Sequence, residues 1–197
     1  TVLDYGCGGG AFLDLVSGLS RETLGIEPFS GYHESLIDRG HEMFSNMETA
    51  QSKYKDKVDS IVSFCVLEHV QNPQQYLKDA CSLLKKSGKM YLETDNIHNI
   101  LMKFNINSFD EFFYRTAHLY YFEDKTLRKM AEQAGFSDIR ISFRHNYDMS
   151  NVMLWLRDNK PTGNGKLDFL SNGVDQNWIE FVESSGLADL VCIEMTK

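Results

Sequence analysis

The chain opens with Thr1-Val2-Leu3-Asp4-Tyr5-Gly6-Cys7-Gly8-Gly9-Gly10-Ala11, and this stretch decides its fold. A short apolar segment of strand type contains an acid, four glycines follow within five positions, and residues 12–16 begin a helical pattern. Glycine is used where the backbone turns sharply or lets a ligand approach closely. A strand, a glycine turn and a helix N-terminus therefore predict the first half of a nucleotide-binding βαβ unit.

The composition of the chain predicts one soluble domain. Its 197 residues are 42% hydrophobic, which is enough for one sizeable core. Twenty basic and 28 acidic side chains give a net charge of −8, which repels nucleic acid and anionic lipid. We therefore expect no nucleic-acid partner, no membrane association and a cytoplasmic location.

The four cysteines (Cys7, Cys65, Cys81 and Cys192) are widely spaced and form no CxxC pair. This spacing predicts free thiols in a reducing compartment and no metal site. The chain begins inside a strand with no preceding helix or cap, and we expect it to lack its natural N-terminal segment.

Strand and helix signals alternate through the first half of the chain. Helices are predicted at 11–17, at 31–39 and from Asn72-Pro73 to about 84, while 46–57 is interpreted as a helix or a solvated loop. Further strands are predicted at 23–27, 41–44, 58–65 and 89–94. This alternation predicts an α/β fold with a mostly parallel, doubly wound sheet covered on both sides.

The second half departs from this rhythm. Residues 95–122 are rich in Asn, Phe and Tyr, and 145–175 is interpreted as a turn-rich linker. Helices are predicted at 125–134, capped by Asp124, and at 176–184. Strands are predicted at 136–143 and 190–195.

Asp4 decides which ligand the glycine turn favours. Gly6-x-Gly8-x-x-Ala11 can be matched to a dinucleotide fingerprint, with Glu27 as the ribose acid. However, a carboxylate two residues before the first glycine repels a pyrophosphate. The turn therefore favours a ligand that has a cationic group and no phosphate. A nicotinamide-dependent oxidoreductase, which would bind a dinucleotide, stays an alternative.

Four ordered segments carry a family resemblance. They are the glycine stretch 2–10, Leu24-Gly25-Ile26-Glu27-Pro28, the segment 59–70 and the segment 84–92. Together they resemble the motifs of class I S-adenosylmethionine-dependent methyltransferases. The segment 118–122, before a helix that ends in Ala134-Gly135-Phe136, extends the resemblance to the ubiquinone- and sugar-pathway-like small-molecule branch.

The resemblance implies a Rossmann-like sheet in the order 3-2-1-4-5-7-6 with an antiparallel final strand. It implies one domain, 1–197, with a cofactor-binding half at 1–95 and a substrate-side half at 96–197. S-adenosylmethionine would be the cofactor and S-adenosylhomocysteine the product. The cofactor-binding residues that it implies are Asp4, Gly6, Cys7, Gly8, Gly10, Glu27, Pro28, Asn46, Met47, Phe64, Cys65, Val66 and Glu68.

Roles follow for some of these residues. Asn46 and Met47 follow the third strand, where the family contacts adenine. Asp4 would lie near the amino acid part of the cofactor, and Glu27 would accept hydrogen bonds from both ribose hydroxyls. Glu68 has two open interpretations, a cofactor contact or a cap on the following helix. Arg115 either binds an anionic substrate group or pairs with Glu111 at i,i+4.

The predicted reaction is methyl transfer to a small polar acceptor. His118 is the first candidate for a base and His69 the second, although both can be structural. Some sugar C-methyltransferases carry a Glu-His pair where this chain has Ala117-His118, so O- or N-methylation is favoured, with a sugar or sugar nucleotide as one option. We expect the acceptor pocket to come from 94–122 and 145–175. A non-catalytic cofactor-binding or regulatory domain is a second alternative.

Overall fold

Seven strands form one sheet in the computed structural model, which describes residues 1–163, 165–170 and 172–197. They are β1 (Val2–Tyr5), β2 (Thr23–Ile26), β3 (Glu42–Phe44), β4 (Val58–Phe64), β5 (Leu84–Asp95), β6 (Ser137–Arg144) and β7 (Leu190–Thr196). Their order is β3-β2-β1-β4-β5-β7-β6. All neighbours are parallel except β7, which runs antiparallel to both β5 and β6. The predicted fold class, strand order and antiparallel final strand are confirmed.

Helices connect the strands, and their amphipathic faces cover the sheet. They are α1 (Ala11–Ser17), α2 (His33–Asp38), α3 (Met47–Tyr54), α4 (Pro73–Leu83), α5 (Asn107–Phe113), α6 (Asp124–Ala134), α7 (Met149–Asp158) and α8 (Asn172–Ser184). Within the described ranges, no helix combines the length and apolarity needed to cross a membrane.

The main core lies between the strands and the helices that cover them. Leu3, Leu24, Ile61, Met90 and Leu92 are fully buried strand residues. Burying an apolar side chain of this size contributes about 1.5–3 kcal/mol, so the regular placement of such residues along the strands stabilises the sheet.

Helix α4 fixes the end of β1, where the glycine turn begins. Asn72 caps the helix by accepting a hydrogen bond from Gln75 N at 3.0 Å, and the helix begins where the sequence predicts. The Tyr76 ring stacks on Tyr5 at 3.8 Å between centroids. The Tyr76 hydroxyl also lies 3.0 Å from the Tyr5 carbonyl oxygen and 2.7 Å from Ser63 Oγ. The last residue of β1 is therefore held by a buried side chain.

A second apolar cluster joins the two regions that depart from the strand and helix rhythm. Leu101, Phe109 and Phe113 pack there with Val152 and Trp155. This cluster brings α5 against α7 and encloses the cavity described below.

The structure corrects the predicted linker at 145–175. Helix α7 lies inside it, capped by the Asp148 carboxylate, which accepts a hydrogen bond from Asn151 N at 2.9 Å. The turn signals of the sequence begin only at Asn159, whose left-handed conformation (φ 52°) ends the helix. The earlier apolar residues follow a helical pattern that the turn signals concealed. Asn164 and Ser171, which also belong to this prediction, lie outside the described residues.

Three predicted boundaries are also wrong. Asp124 is the first residue of α6 and not its cap, since Glu123 holds the N-cap position without a side-chain hydrogen bond. A carboxylate in the first turn of a helix interacts favourably with the positive end of the helix dipole. This interaction accounts for the presence of Asp124 in the first turn of α6. Strand β5 begins at Leu84 rather than residue 89, because Leu84 pairs with Val58 before a register shift. Helix α8 begins at Asn172 rather than residue 176.

Candidate active site

The glycine turn lies at the carboxyl edge of the sheet, between β1 and α1. Gly6 has φ +91°, and a Cβ there would meet the Val66 side chain at 2.4 Å. Gly10 has φ +81°, and a Cβ there would meet Leu36 at 2.1 Å. Both conformations are rare for residues with side chains, and both positions are sterically closed. By contrast, a Cβ on Gly8 (φ +50°) would meet no atom within 4 Å and would point into open space.

Glu27 stands at the carboxyl end of β2 and is tied to the glycine turn. Its Oε2 accepts a hydrogen bond from Gly8 N at 3.0 Å, and its Oε1 accepts one from Phe29 N at 2.8 Å, across the exposed Pro28. Each carboxylate oxygen keeps a second lone pair for another donor. The carboxylate is therefore held in one orientation with room to accept two more hydrogen bonds, as a pair of vicinal hydroxyls requires.

Asp4 is buried beside this carboxylate. It is 3% exposed, and its Oδ1 has no hydrogen-bond partner among the residues that the structure describes. Burial, and secondly the nearby charge of Glu27, raises the pKa of Asp4 to about 7. A buried acid without a partner fits a ligand that brings a cationic group, as the sequence predicts for Asp4.

The raised pKa makes a prediction about stability. The folded state holds the proton on Asp4 more tightly than the unfolded state does, so stability falls as pH rises from about 4 to about 7. Asp4→Asn removes this ionisation, and we expect the ligand-free variant to gain stability over the wild type through that window. The gain is of the order of 4 kcal/mol above about pH 7 and vanishes below about pH 4.

Urea unfolding of both proteins at several pH values measures this difference. Asp38→Asn, at an exposed position on α2, is the matched control. A difference between Asp4→Asn and wild type that stays constant with pH would contradict the assignment.

Other residues predicted to contact the cofactor lie around the same edge, with different surroundings. Val66 packs on Gly6, and Cys7 is buried in a small cluster with Leu13 and Leu36, where burial raises the pKa of its thiol. Cys65 follows the end of β4 with φ +53°. The Phe64 ring lies 5.4 Å from that of Phe12.

The residues predicted beside adenine have structural partners of their own. Asn46 Oδ1 accepts a hydrogen bond from Thr49 N and caps α3, and Met47 belongs to the main core. Their contact with the adenine ring stays a prediction.

Glu68 is buried next to the end of β5. Its Oε2 accepts a hydrogen bond from Thr94 Oγ1 at 2.8 Å, and burial raises the pKa of its carboxyl. The interpretation of Glu68 as a helix cap is wrong, because Asn72 caps α4. The Glu68 backbone oxygen accepts from Leu119 N at 2.7 Å, which brings the segment with His118 to the site.

His118 and His69 meet there edge to face, with ring centroids 4.7 Å apart. The exposed His69 donates from Nδ1 to the Ala117 carbonyl oxygen at 2.9 Å. His118 Nδ1 lies 2.9 Å from Asp95 Oδ2, within ion-pair distance although the atoms are not aligned for a hydrogen bond. Burial raises the pKa of Asp95, a residue that sequence reasoning missed although it ends a strand at the ligand-binding edge.

Two further points concern this cluster. Glu68, His69 and His118 each bring one potential metal-ligand atom within 4.8 Å of the others. The absence of a metal site stays a prediction. Within the described part of the chain, Arg115 forms no salt bridge with Glu111; it stacks on Phe112, with Cζ 4.6 Å from the ring centroid.

A cavity of about 270 Å³ begins at Asp95. Its lining falls in the two regions predicted for the acceptor pocket, and Asp189 adds to them. Strands β1, β4 and β5 are neighbours in the sheet, so the end of β5 lies about 10 Å from the glycine turn. The cavity and the glycine turn therefore share one edge.

Comparison with known proteins agrees with this arrangement. Residues 1–141 match the model of a methyltransferase domain family. Over 105 residues, 48% of this chain, it is 30% identical to the ubiquinone biosynthesis O-methyltransferase of Escherichia coli, covering 42% of that protein. It is 25% identical over 101 residues to a probable S-adenosylmethionine-dependent methyltransferase of Mycobacterium tuberculosis, covering 48% of this chain and 35% of that protein. The chain spans less than half the length of these curated relatives.

Solved structures give the same fold. A methyltransferase from Archaeoglobus fulgidus superposes with a TM-score of 0.66 at 21% identity, covering 100% of this chain and 85% of that one. A possible histamine N-methyltransferase from Thermotoga maritima gives 0.66 at 19% identity, covering 100% and 81%.

The chain belongs to the methyltransferase domain family, since the match covers well over half of its length. The predicted class I S-adenosylmethionine-dependent methyltransferase family is confirmed.

Proposed function

We propose that this protein transfers a methyl group from S-adenosylmethionine to an oxygen or nitrogen atom of a small polar acceptor. The carrying observation is that the Glu27 carboxylate, the unpartnered Asp4 and the cavity at Asp95 share one edge of the sheet. A relative that acts as an O-methyltransferase by name supports oxygen as one acceptor atom.

In this proposal the first half of the chain holds the cofactor. Glu27 accepts bonds from the ribose hydroxyls, Asp4 faces the amino acid part, and Gly8 leaves room for close approach. The cofactor supplies a methyl group bound to a sulfonium, which is a good leaving group. The protein therefore contributes mainly positioning and exclusion of water.

His118 is the first candidate to take a proton from the acceptor, and His69 is the second. Asp95 next to His118 Nδ1 favours a proton on that atom, which leaves Nε2 to accept one. His69 donates a hydrogen bond from Nδ1, so its Nε2 also carries a lone pair that can accept a proton. Its ring, however, is exposed.

The test begins with an acceptor screen. Radiolabelled S-adenosylmethionine is offered with a panel of small hydroxyl- and amine-bearing metabolites, and methyl uptake is counted. Binding of S-adenosylhomocysteine without uptake by any acceptor would instead favour a cofactor-binding domain without turnover.

With an acceptor in hand, we expect His118→Asn to lower turnover by about a hundredfold, the usual loss when a general base is removed. S-adenosylhomocysteine affinity should stay within about threefold of wild type, because the ring lies beside Asp95, which lines the cavity. His98→Asn, at an exposed position beyond the cavity lining, is the control. Full turnover by His118→Asn across about pH 6 to 9 would exclude the role and transfer it to His69.

A further inference from the structure

We propose that the His145–Asp189 pair forms the recognition end of the cavity at Asp95. The ligand class that it fits is a compact flat ring that carries a hydroxyl or ammonium group and no phosphate or carboxylate. That this ligand is the methyl acceptor rests on the proposed function.

In this pair, Asp189 holds the His145 ring so that the other ring nitrogen, Nε2, can accept a hydrogen bond. His145 Nδ1 lies 3.0 Å from Asp189 Oδ1, and this carboxylate also accepts from Asn146 N at 2.9 Å and Asn146 Nδ2 at 2.7 Å. A carboxylate only accepts, so Nδ1 carries the proton. The Asp189 N–H also approaches Nδ1, but at 3.3 Å. The shorter, charge-assisted bond decides the tautomer and leaves the lone pair on Nε2.

Nε2 is the atom that needs a partner. His145 is 7% exposed and lines the cavity, and its Nε2 is buried without a hydrogen-bond partner in the part of the chain that the structure describes. Buried polar atoms of folded proteins are normally paired. A ligand that donates an O–H or N–H to Nε2 would supply this partner.

Aromatic side chains also line the cavity. Phe109 stacks on Phe113 at 5.5 Å and meets Trp155 edge to face at 5.3 Å. All three of these residues are buried. Such rings favour a flat unsaturated ligand. The volume of about 270 Å³ lies near the lower end for ligand pockets, which suits a single substituted ring.

The charges around the cavity select against anions. Asp95 and Asp189 line it, and Arg115, the basic residue of the lining, is exposed and rests on Phe112. A carboxylate or phosphate in the cavity would face two acids. This disfavours a sugar nucleotide, one of the acceptors that the resemblance suggests, because its two phosphates would need several basic groups.

The unaltered protein provides the first test. We use ¹⁵N-labelled histidine and follow the ring nitrogens by NMR at about pH 7.5, with phenol as the probe. We expect His145 to show a proton on Nδ1 and a lone pair on Nε2, and phenol to shift the Nε2 signal. A proton on Nε2 in the neutral ring, or no response of this signal to phenol, would overturn the proposal.

The second test compares probes that differ in one group: phenol, benzylamine, toluene and benzoate. We expect wild type to bind phenol and benzylamine about fivefold more tightly than toluene, the gain of one hydrogen bond, and benzoate at least about tenfold more weakly than phenol. In His145→Phe, which keeps a ring, the preference over toluene should fall to about one. His98→Phe should keep it. A preference that survives His145→Phe, or benzoate that binds like phenol, would overturn the proposal.

Calorimetry with S-adenosylhomocysteine on the same samples separates the two claims. If it fails to bind while the probe preference is present, the methyltransferase assignment fails and the ring site stands. If it binds while the probes show no preference for a donor group, the cofactor assignment stands and the ring site fails.

Discussion

Glu27→Ala is expected to weaken the binding of S-adenosylhomocysteine by about a hundredfold. The Glu27 carboxylate is held by Gly8 N and Phe29 N and has lone pairs left for both ribose hydroxyls. Hydrogen bonds to a charged group contribute about 1.5–3 kcal/mol each, and about 1.4 kcal/mol changes affinity tenfold. Glu27→Gln, which keeps the shape and loses the charge, should cost about tenfold. Isothermal titration calorimetry measures both values.

Two comparisons make this result specific. Glu34→Ala removes an exposed acid from α2, close to Glu27 in the chain and without a salt bridge in the described residues, and should leave affinity unchanged. Thermal unfolding of Glu27→Ala shows whether the loop has lost its anchor. A folded Glu27→Ala protein with wild-type affinity would refute the role of this carboxylate.

Substitution of the glycines in the turn is expected to give the second large effect. The same change to alanine should have different consequences at Gly10 and at Gly8. Gly10→Ala adds a Cβ at φ +81° that meets Leu36 at 2.1 Å. The left-handed conformation costs about 1–2 kcal/mol and overpacking about 1–3 kcal/mol, so we expect a loss of about 3 kcal/mol. For a chain of this size the melting temperature should fall by about 6–12 °C.

Gly8→Ala should instead affect the ligand. Its φ of +50° costs about 1 kcal/mol with a side chain, but the Cβ meets no atom within 4 Å in the ligand-free protein. We expect a melting temperature about 2–4 °C lower and an affinity for S-adenosylhomocysteine reduced about tenfold or more, because the methyl group enters the space proposed for the cofactor.

Gly18→Ala is the control for both glycine variants, since Gly18 has φ −74° and open space around it, and the change should be neutral or slightly stabilising. Equal stability losses for the three variants would show that the turn has no special geometry. An unchanged affinity in Gly8→Ala would place the cofactor elsewhere.

The arrangement of the glycine turn and Glu27 could be predicted because its signals are local. Glycines next to a strand, an acid at the end of the next strand and alternating strands and helices each follow from short segments. In a parallel sheet the carboxyl ends of neighbouring strands meet at one edge, so these segments could be placed together without coordinates. Glu27 is one example, 19 residues from Gly8 but bonded to its backbone.

The acceptor side could not be predicted in the same way, since its contacts join distant parts of the chain. His145 and Asp189 are 44 residues apart and lie on either side of α8. Asp95 lies at the end of β5, and Glu68 follows the end of β4. The partner of Asp95 is His118, and the partner of Glu68 is Thr94. Helix α7 could not be predicted because the turn residues after Asp158 dominate the sequence pattern of this region. Its apolar residues nevertheless pack against Phe109.

The measurement that tests the central claim most directly is calorimetric titration of the unaltered protein with S-adenosylhomocysteine and with NAD under the same conditions. The glycine turn, Asp4 and Glu27 predict one-to-one binding of S-adenosylhomocysteine and no measurable binding of NAD. Binding of NAD without binding of S-adenosylhomocysteine would contradict the account and point to the oxidoreductase alternative.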